Sequence, residues 1–164
     1  MGRFLIVLLG LFVANDVTFG QSKVEETEIS DKVYFIGEDE KKYEKLVEKY
    51  KSMLFTVCNN NMDEAYEHWS TLLKDFEVFA DKNNIDIKGV KLWMNVFWSR
   101  NGTIDYIVFY PKPNSKNMNY DNVKALMSKF AINYQSSVKH TTGFSHYGSA
   151  AFPIISKAVI GQEK

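Results

Sequence analysis

The chain has 164 residues, 45% hydrophobic and 24% charged, with 20 Lys plus Arg balanced by 20 Asp plus Glu. That apolar fraction excludes a disordered chain, and zero formal net charge excludes a long-range field able to recruit nucleic acid or anionic lipid. Twelve Phe, nine Tyr and three Trp imply an aromatic core or an aromatic recognition surface, and the lone cysteine, Cys58, excludes an intrachain disulfide.

Met1-Gly2-Arg3 precedes the apolar run Phe4 to Ala14. One positive charge, about 7–15 apolar residues and then small or polar residues is the layout of a secretory signal peptide. The run is shorter than the roughly 20 residues of a bilayer span. Thr18 and Gly20 have the small size expected at −3 and −1 of a cleavage site, so residues 1–20 are expected to be removed, leaving Gln21 first and no integral membrane segment. The expected location is exported, either periplasmic or secreted. About 144 residues then remain, enough for one domain with a real core. Residues 21–32 read as a polar, flexible leader, 33–160 as a single domain and 161–164 as a tail.

Val33 to Ile36 is a short apolar run suited to an edge strand, and Gly37 opens an acidic turn, Glu38-Asp39-Glu40, that suits a helix N-terminus. Tyr43, Leu46, Val47, Tyr50, Met53, Leu54 and Val57 recur at three- and four-residue steps and predict a helix over about 39–58. Its other face, with Lys41, Glu44, Lys45, Glu48 and Lys51, reads as solvated. Cys58 is expected as a small buried residue near that helix end.

Asn59-Asn60-Asn61 breaks this helix, and Asn61 with Glu64 has the spacing of a capping box. A second helix is expected over about 62–82, with Ala65, Tyr66, Trp69, Leu72, Leu73, Phe76 and Ala80 as its stripe, stopped by Asn83-Asn84. The short linker implies an antiparallel helix pair.

From Val90 to Tyr110 the period changes to two. Asn101-Gly102 between two β-rich runs predicts a hairpin with a type I′ turn. That register pairs Arg100 with Thr103, Val96 with Ile107 and Met94 with Phe109, and puts Leu92 and Trp98 on their face. Trp93, Phe97, Ile104, Tyr106, Val108 and Tyr110 fall on the other, interrupted by Lys91, Asn95 and Ser99. Both faces are apolar, unlike a half-exposed hairpin. Either the second and third helices cover one face and the first helix the other, or the aromatic face is open to a partner, a second copy or an apolar ligand.

Pro111-Lys112-Pro113 ends the second strand. Asn119 is placed to cap a third helix at about 120–133, with Val123, Leu126, Met127, Phe130 and Ala131 buried. Residues 139–149 read as a polar loop, and Ser149 to Ile155 as a last strand. The expected class is α+β: a small antiparallel sheet, built from a β-hairpin and a C-terminal strand, packed with three helices in the order α-α-β-β-α-β.

Phosphate-loop and dinucleotide fingerprints are absent, and no cofactor is expected. His68, His140 and His146 lack His-x-x-x-His or Cys-x-x-Cys spacing, so no metal site is expected. The densest polar cluster, Lys139 to Ser149, contains Ser145, His146 and Tyr147, the candidates for a catalytic role in a small hydrolase. It holds no Gly-x-Ser-x-Gly elbow and no evident acid to orient a histidine. Asn101-Gly102-Thr103 is formally a glycosylation sequon, better explained as a turn.

The order helix, strand, Asn-Gly turn, strand, helix, strand from about residue 62 resembles the C-terminal domain of TonB-type energy transducers. The matching stretches are Val90-Lys91-Leu92-Trp93-Met94-Asn95-Val96-Phe97, Arg100-Asn101-Gly102-Thr103-Ile104-Asp105-Tyr106-Ile107, Ala125 to Tyr134 and Ser149 to Ile154. The resemblance implies that fold and a habit of binding by adding a strand to a sheet edge. It does not extend to energy transduction, because this chain has three prolines and no proline-rich spacer, and no Tyr-Pro precedes its helix. The general character is similar to small exported proteins of Bacteroidota. The expected function is therefore non-catalytic binding of a protein or cell-envelope component, with Trp93, Phe97, Tyr106 and Tyr110 as binding residues. The edge would come from the strand ending at Tyr110 or from Ala150 to Phe152. The alternatives are the hydrolase and a carrier of apolar ligands lined by the same four aromatics.

Overall fold

A computed structural model describes residues 32–154. The expected signal peptide, nearly all of the leader, the end of the domain and the tail lie outside the described residues. Among those residues no helix is long and apolar enough to cross a membrane.

The molecule is α+β. In chain order the elements are β1 (Val33–Phe35), α1 (Glu40–Lys49), β2 (Ser52–Met53), α2 (Leu54–Val57), α3 (Met62–Lys82), β3 (Lys91–Trp98), β4 (Ile104–Pro111), α4 (Tyr120–Asn133) and β5 (Phe144–Ala151). The sheet has five strands in the order β1-β4-β3-β5-β2. β3 pairs antiparallel with β4 and with β5, while the short outer strands β1 and β2 pair parallel with β4 and β5. The expected antiparallel sheet is therefore the centre of a mixed one.

Two helices start and stop where the sequence places them. The Asn61 side chain accepts from the backbone of Asp63 and Glu64 and begins α3, and the Asn119 side chain accepts from Asp121 and begins α4. Asn59 and Asn60 take positive φ values of 54° and 60° between α2 and α3, a conformation asparagine tolerates better than most residues.

The first expected helix is broken in two. Tyr50 leaves helical geometry at φ −103° and ψ 62°. Its hydroxyl donates to Asp105 at 2.7 Å, and its carbonyl accepts from the Ser145 hydroxyl at 3.1 Å. The next residues then pair as β2 with Phe144 and Ser145. The sheet captures the chain at Tyr50, overriding a helical stripe that no proline or glycine interrupts.

The hairpin register holds for most of its length: Val96 faces Ile107 and Met94 faces Phe109. At the turn it differs. Ser99 N–H donates to Thr103 O, Gly102 N–H donates to Ser99 O, and Gly102, not Asn101, takes positive φ, at 87°. This is a turn over Ser99–Gly102 with glycine in the left-handed position, followed by a shift between Phe97 and Trp98 in which Asp105 is the extra residue. The shift inverts the strand's faces. Ile104 lies with Trp98 in the main core, not with Tyr106.

The sheet is covered on both sides. On one face, α3 and α4 bury Trp69, Leu72, Phe76, Leu126, Met127 and Phe130 against Leu92, Met94, Val96, Ile107 and Phe109. Phe76 and Phe130 meet edge-on at 5.3 Å between ring centroids. On the other face, α1 packs Leu46 and Tyr50 against Phe97, Val108 and Tyr34. The chain passes from one face to the other through β2 at the sheet edge. α1 and α3 are thus separated by the sheet and do not form the expected helix pair; the three-layer arrangement is the one realised.

Residues 144–149 are strand, not loop. Phe144 and Ala150 are fully buried, and Gly148 lies on the same face beneath Trp69. A Cβ at Gly148 would sit 2.9 Å from Trp69 Cε2, so only glycine lets the indole close on the strand.

Candidate functional site

α1 covers only part of its face of the sheet, and this divides the four expected binding aromatics. Phe97 is completely buried under Tyr43 and Tyr50, with ring centroids 6.4 and 5.3 Å away. Tyr106 packs against the same small cluster. Outside the area that α1 covers, Trp93 is 40% exposed and Tyr110 53%. Tyr147 joins them at 51% exposure; the sequence offered it only as a catalytic candidate.

The register assembles this platform. Trp93 lies opposite Tyr110 on β4 and Ser149 on β5, and Tyr147 is its diagonal neighbour. The Trp93 and Tyr147 rings stack at 5.9 Å between centroids with planes 14° apart. The Lys112 ammonium sits 3.7 Å from the Trp93 ring centroid and donates to Ser149 Oγ at 2.6 Å. The attraction of a cation for an indole face fixes both groups. Asn95, next on this face, is 6% exposed; its side-chain nitrogen donates to Tyr43 at 3.3 Å, and its Oδ1 is buried without a partner among the described residues.

The platform borders an open strand edge. Phe152 N–H donates to Val90 O. With the β3–β5 register, this sets even-numbered β5 residues bonding to β3 and turns the backbone groups of Ser145, Tyr147, Ser149 and Ala151 outward. β2 pairs only with Phe144 and Ser145. The Trp69 indole donates to Ser149 O at 3.3 Å. Among the described residues no strand pairs with the outer side of Tyr147–Ala151. On the other flank, β1 pairs along β4 at Ile107–Phe109 and leaves less to pair near Tyr110.

Ser145 and His146 alternate across the sheet. The Ser145 hydroxyl donates to Tyr50 O, whereas the His146 ring packs 4.7 Å from Trp69 on the opposite face. Burial pushes the His146 pKa below its ordinary value. Tyr147 returns to the Ser145 face and stacks on Trp93. Strand alternation therefore keeps hydroxyl and imidazole apart, and the two do not form a nucleophile–base pair.

A second cluster lies where α2 gives way to α3. One ligand atom from each of Cys58, Glu64 and His68 lies within 4.8 Å of the other two. Cys58 caps the C-terminus of α2 and is 2% exposed, while Glu64 and His68 are one helical turn apart on α3, at 3.9 Å. Burial, then the Glu64 carboxylate, pushes the Cys58 thiol pKa up. In the sequence the three stand as Cys-x5-Glu-x3-His, a spacing that matches neither His-x-x-x-His nor Cys-x-x-Cys.

Fold and surface together define a small three-layer α+β domain with an aromatic platform beside an open sheet edge. Comparison with protein-family models, curated proteins and solved structures returns no match.

Proposed function

We propose that this chain is an exported, non-catalytic binding domain that takes an extended segment of a protein partner along the outer edge of β5. The observation that carries this reading is the juxtaposition of the open Tyr147–Ala151 edge with the Trp93–Tyr147 stack. The outward backbone groups other than Ser149 O, which already accepts from the Trp69 indole, supply main-chain hydrogen bonds, and the platform accepts alternate side chains of the added strand. Trp93, Tyr110 and Tyr147 are the aromatic anchors and Lys112 supplies a cation beside them. Phe97 and Tyr106, packed in the cluster that α1 covers, lie outside the proposed contact. The TonB-like resemblance points to the same mode of binding, at the second of the two edges it suggested.

The test is selection of extended peptides from a displayed random library on the purified chain, followed by binding to variants. Ala151→Pro removes an outward N–H while leaving the β3 ladder bonds intact. Selected peptides should lose at least about tenfold in affinity on A151P and W93A, about 1.4 kcal/mol. They should bind Val78→Glu, on the exposed side of α3, as they bind wild type. Peptides indifferent to A151P and W93A, or no selection at all, count against the edge.

A further inference from the structure

We infer that Cys58, Glu64 and His68 form a binding site for a divalent transition-metal ion, zinc foremost. The inference does not depend on the edge-binding reading, since the cluster sits at the α2–α3 junction. Three ligand types converge there from a helix C-cap and one face of the next helix, their atoms within 4.8 Å of one another. A tetrahedral zinc ion, with bonds of about 2.0–2.3 Å, holds its ligands roughly 3.3–3.8 Å apart. The 3.9 Å between His68 Nε2 and Glu64 Oε1 is already close to that spacing. The partly exposed Glu64 and His68 side chains have room to turn toward the buried Cys58 sulfur and close the remainder.

The donor set decides the class of ion. A thiolate with an imidazole suits zinc and its neighbours, whereas calcium and magnesium prefer all-oxygen sites. Exposure decides the kind of site. Cys58 is buried, but the side chains of His68 and Glu64 are 28% and 45% exposed. The three protein ligands form a cap open to solvent on one side, so the fourth position falls to water or an exogenous ligand, as in zinc sites that keep an open position. On binding, the Cys58 Sγ–H bond breaks, the sulfur bonds the metal as thiolate, and the proton leaves to solvent.

Cobalt(II) reports this geometry directly. Titration of the purified chain should give, at one equivalent, a near-ultraviolet thiolate-to-cobalt band and intense visible bands of a four-coordinate ion, both abolished by zinc. Zinc affinity, read by competition with a chromophoric chelator, should fall in Glu64→Gln and His68→Gln by at least the roughly 10–100-fold that even an outer-shell partner is worth. These side chains are partly exposed, so both variants should keep the wild-type circular dichroism. Cys58→Ser removes the thiolate band but alters the core, so the two helix variants carry the comparison. Absence of the thiolate band, or zinc held equally by wild type and H68Q, overturns the site.

Discussion

Tyr50 and Asp105, 55 positions apart, are joined by a hydrogen bond of 2.7 Å from the phenol to the carboxylate. Two local irregularities make it possible. α1 ends at Tyr50 rather than continuing, and the extra residue in β4 turns Asp105 out of the alternation. The bond ties the layer on the α1 side to the hairpin. Burial, then the bond to Asp105, pushes the Tyr50 phenol pKa well above its ordinary value. Tyr50→Phe should destabilise the fold by about 1–2 kcal/mol, read as a lower urea midpoint at unchanged slope. A double-mutant cycle with Asp105→Asn should show coupling between the two sites. An unchanged midpoint in Y50F would mean that the bond does not hold α1 down.

Gly148 has a role that backbone conformation does not explain, since its φ is not positive. A methyl group there meets the Trp69 ring at 2.9–3.0 Å, and Trp69 is itself 6% exposed. Gly148→Ala should cost about 1–3 kcal/mol by overpacking. Trp69→Phe in the same chain should recover part of the loss by withdrawing the larger ring. Equal stability of G148A and wild type would show that the indole yields without cost.

These irregularities mark the limit of what the sequence shows. α3 and α4 are legible because asparagine caps and apolar stripes agree with the packing they later make. The hairpin is legible because Val96, Ile107, Met94 and Phe109 alternate in step. β2 is not, because the helical stripe runs unbroken through Tyr50 and the cause of its interruption lies on β4 and β5. The bulge is equally silent, so alternation assigns Ile104 to the wrong face. Ser, His, Tyr and Gly disguise residues 144–149 as a loop, since the small and half-polar residues facing the core hide the period of two. The binding aromatics are half legible. Their shared face follows from register, but which of them α1 covers depends on where that helix lies on the sheet.

His146 supplies a prediction in pH. Burial lowers its pKa in the folded state below the ordinary 6.5, so between the two values the unfolded chain binds more protons. Stability then rises with pH through that window. The contribution is complete above about 6.5 and is lost progressively as the pH falls below it. His146→Leu removes the titrating group. The stability of wild type relative to H146L, from urea unfolding at a series of pH values, should decline on acidification below that point. A flat difference would show that the imidazole protonates as readily in the fold as outside it.

Trp93 provides the most direct reading of the platform. Trp69 and Trp98 are 6% and 3% exposed, against 40% for Trp93. Emission from the monomer should therefore contain one quencher-accessible, red-shifted component, and Trp93→Phe should abolish it while leaving the protected remainder. Lys112 lies 3.7 Å from the Trp93 ring centroid, so iodide should quench this component more strongly than Lys112→Gln allows, and added salt should narrow the difference. Binding of a selected peptide should protect the same component, because the added strand lies across the platform. Protection of Trp93 in the free monomer would mean that another part of the chain covers the platform. That would remove the aromatic anchors on which the proposed strand addition depends.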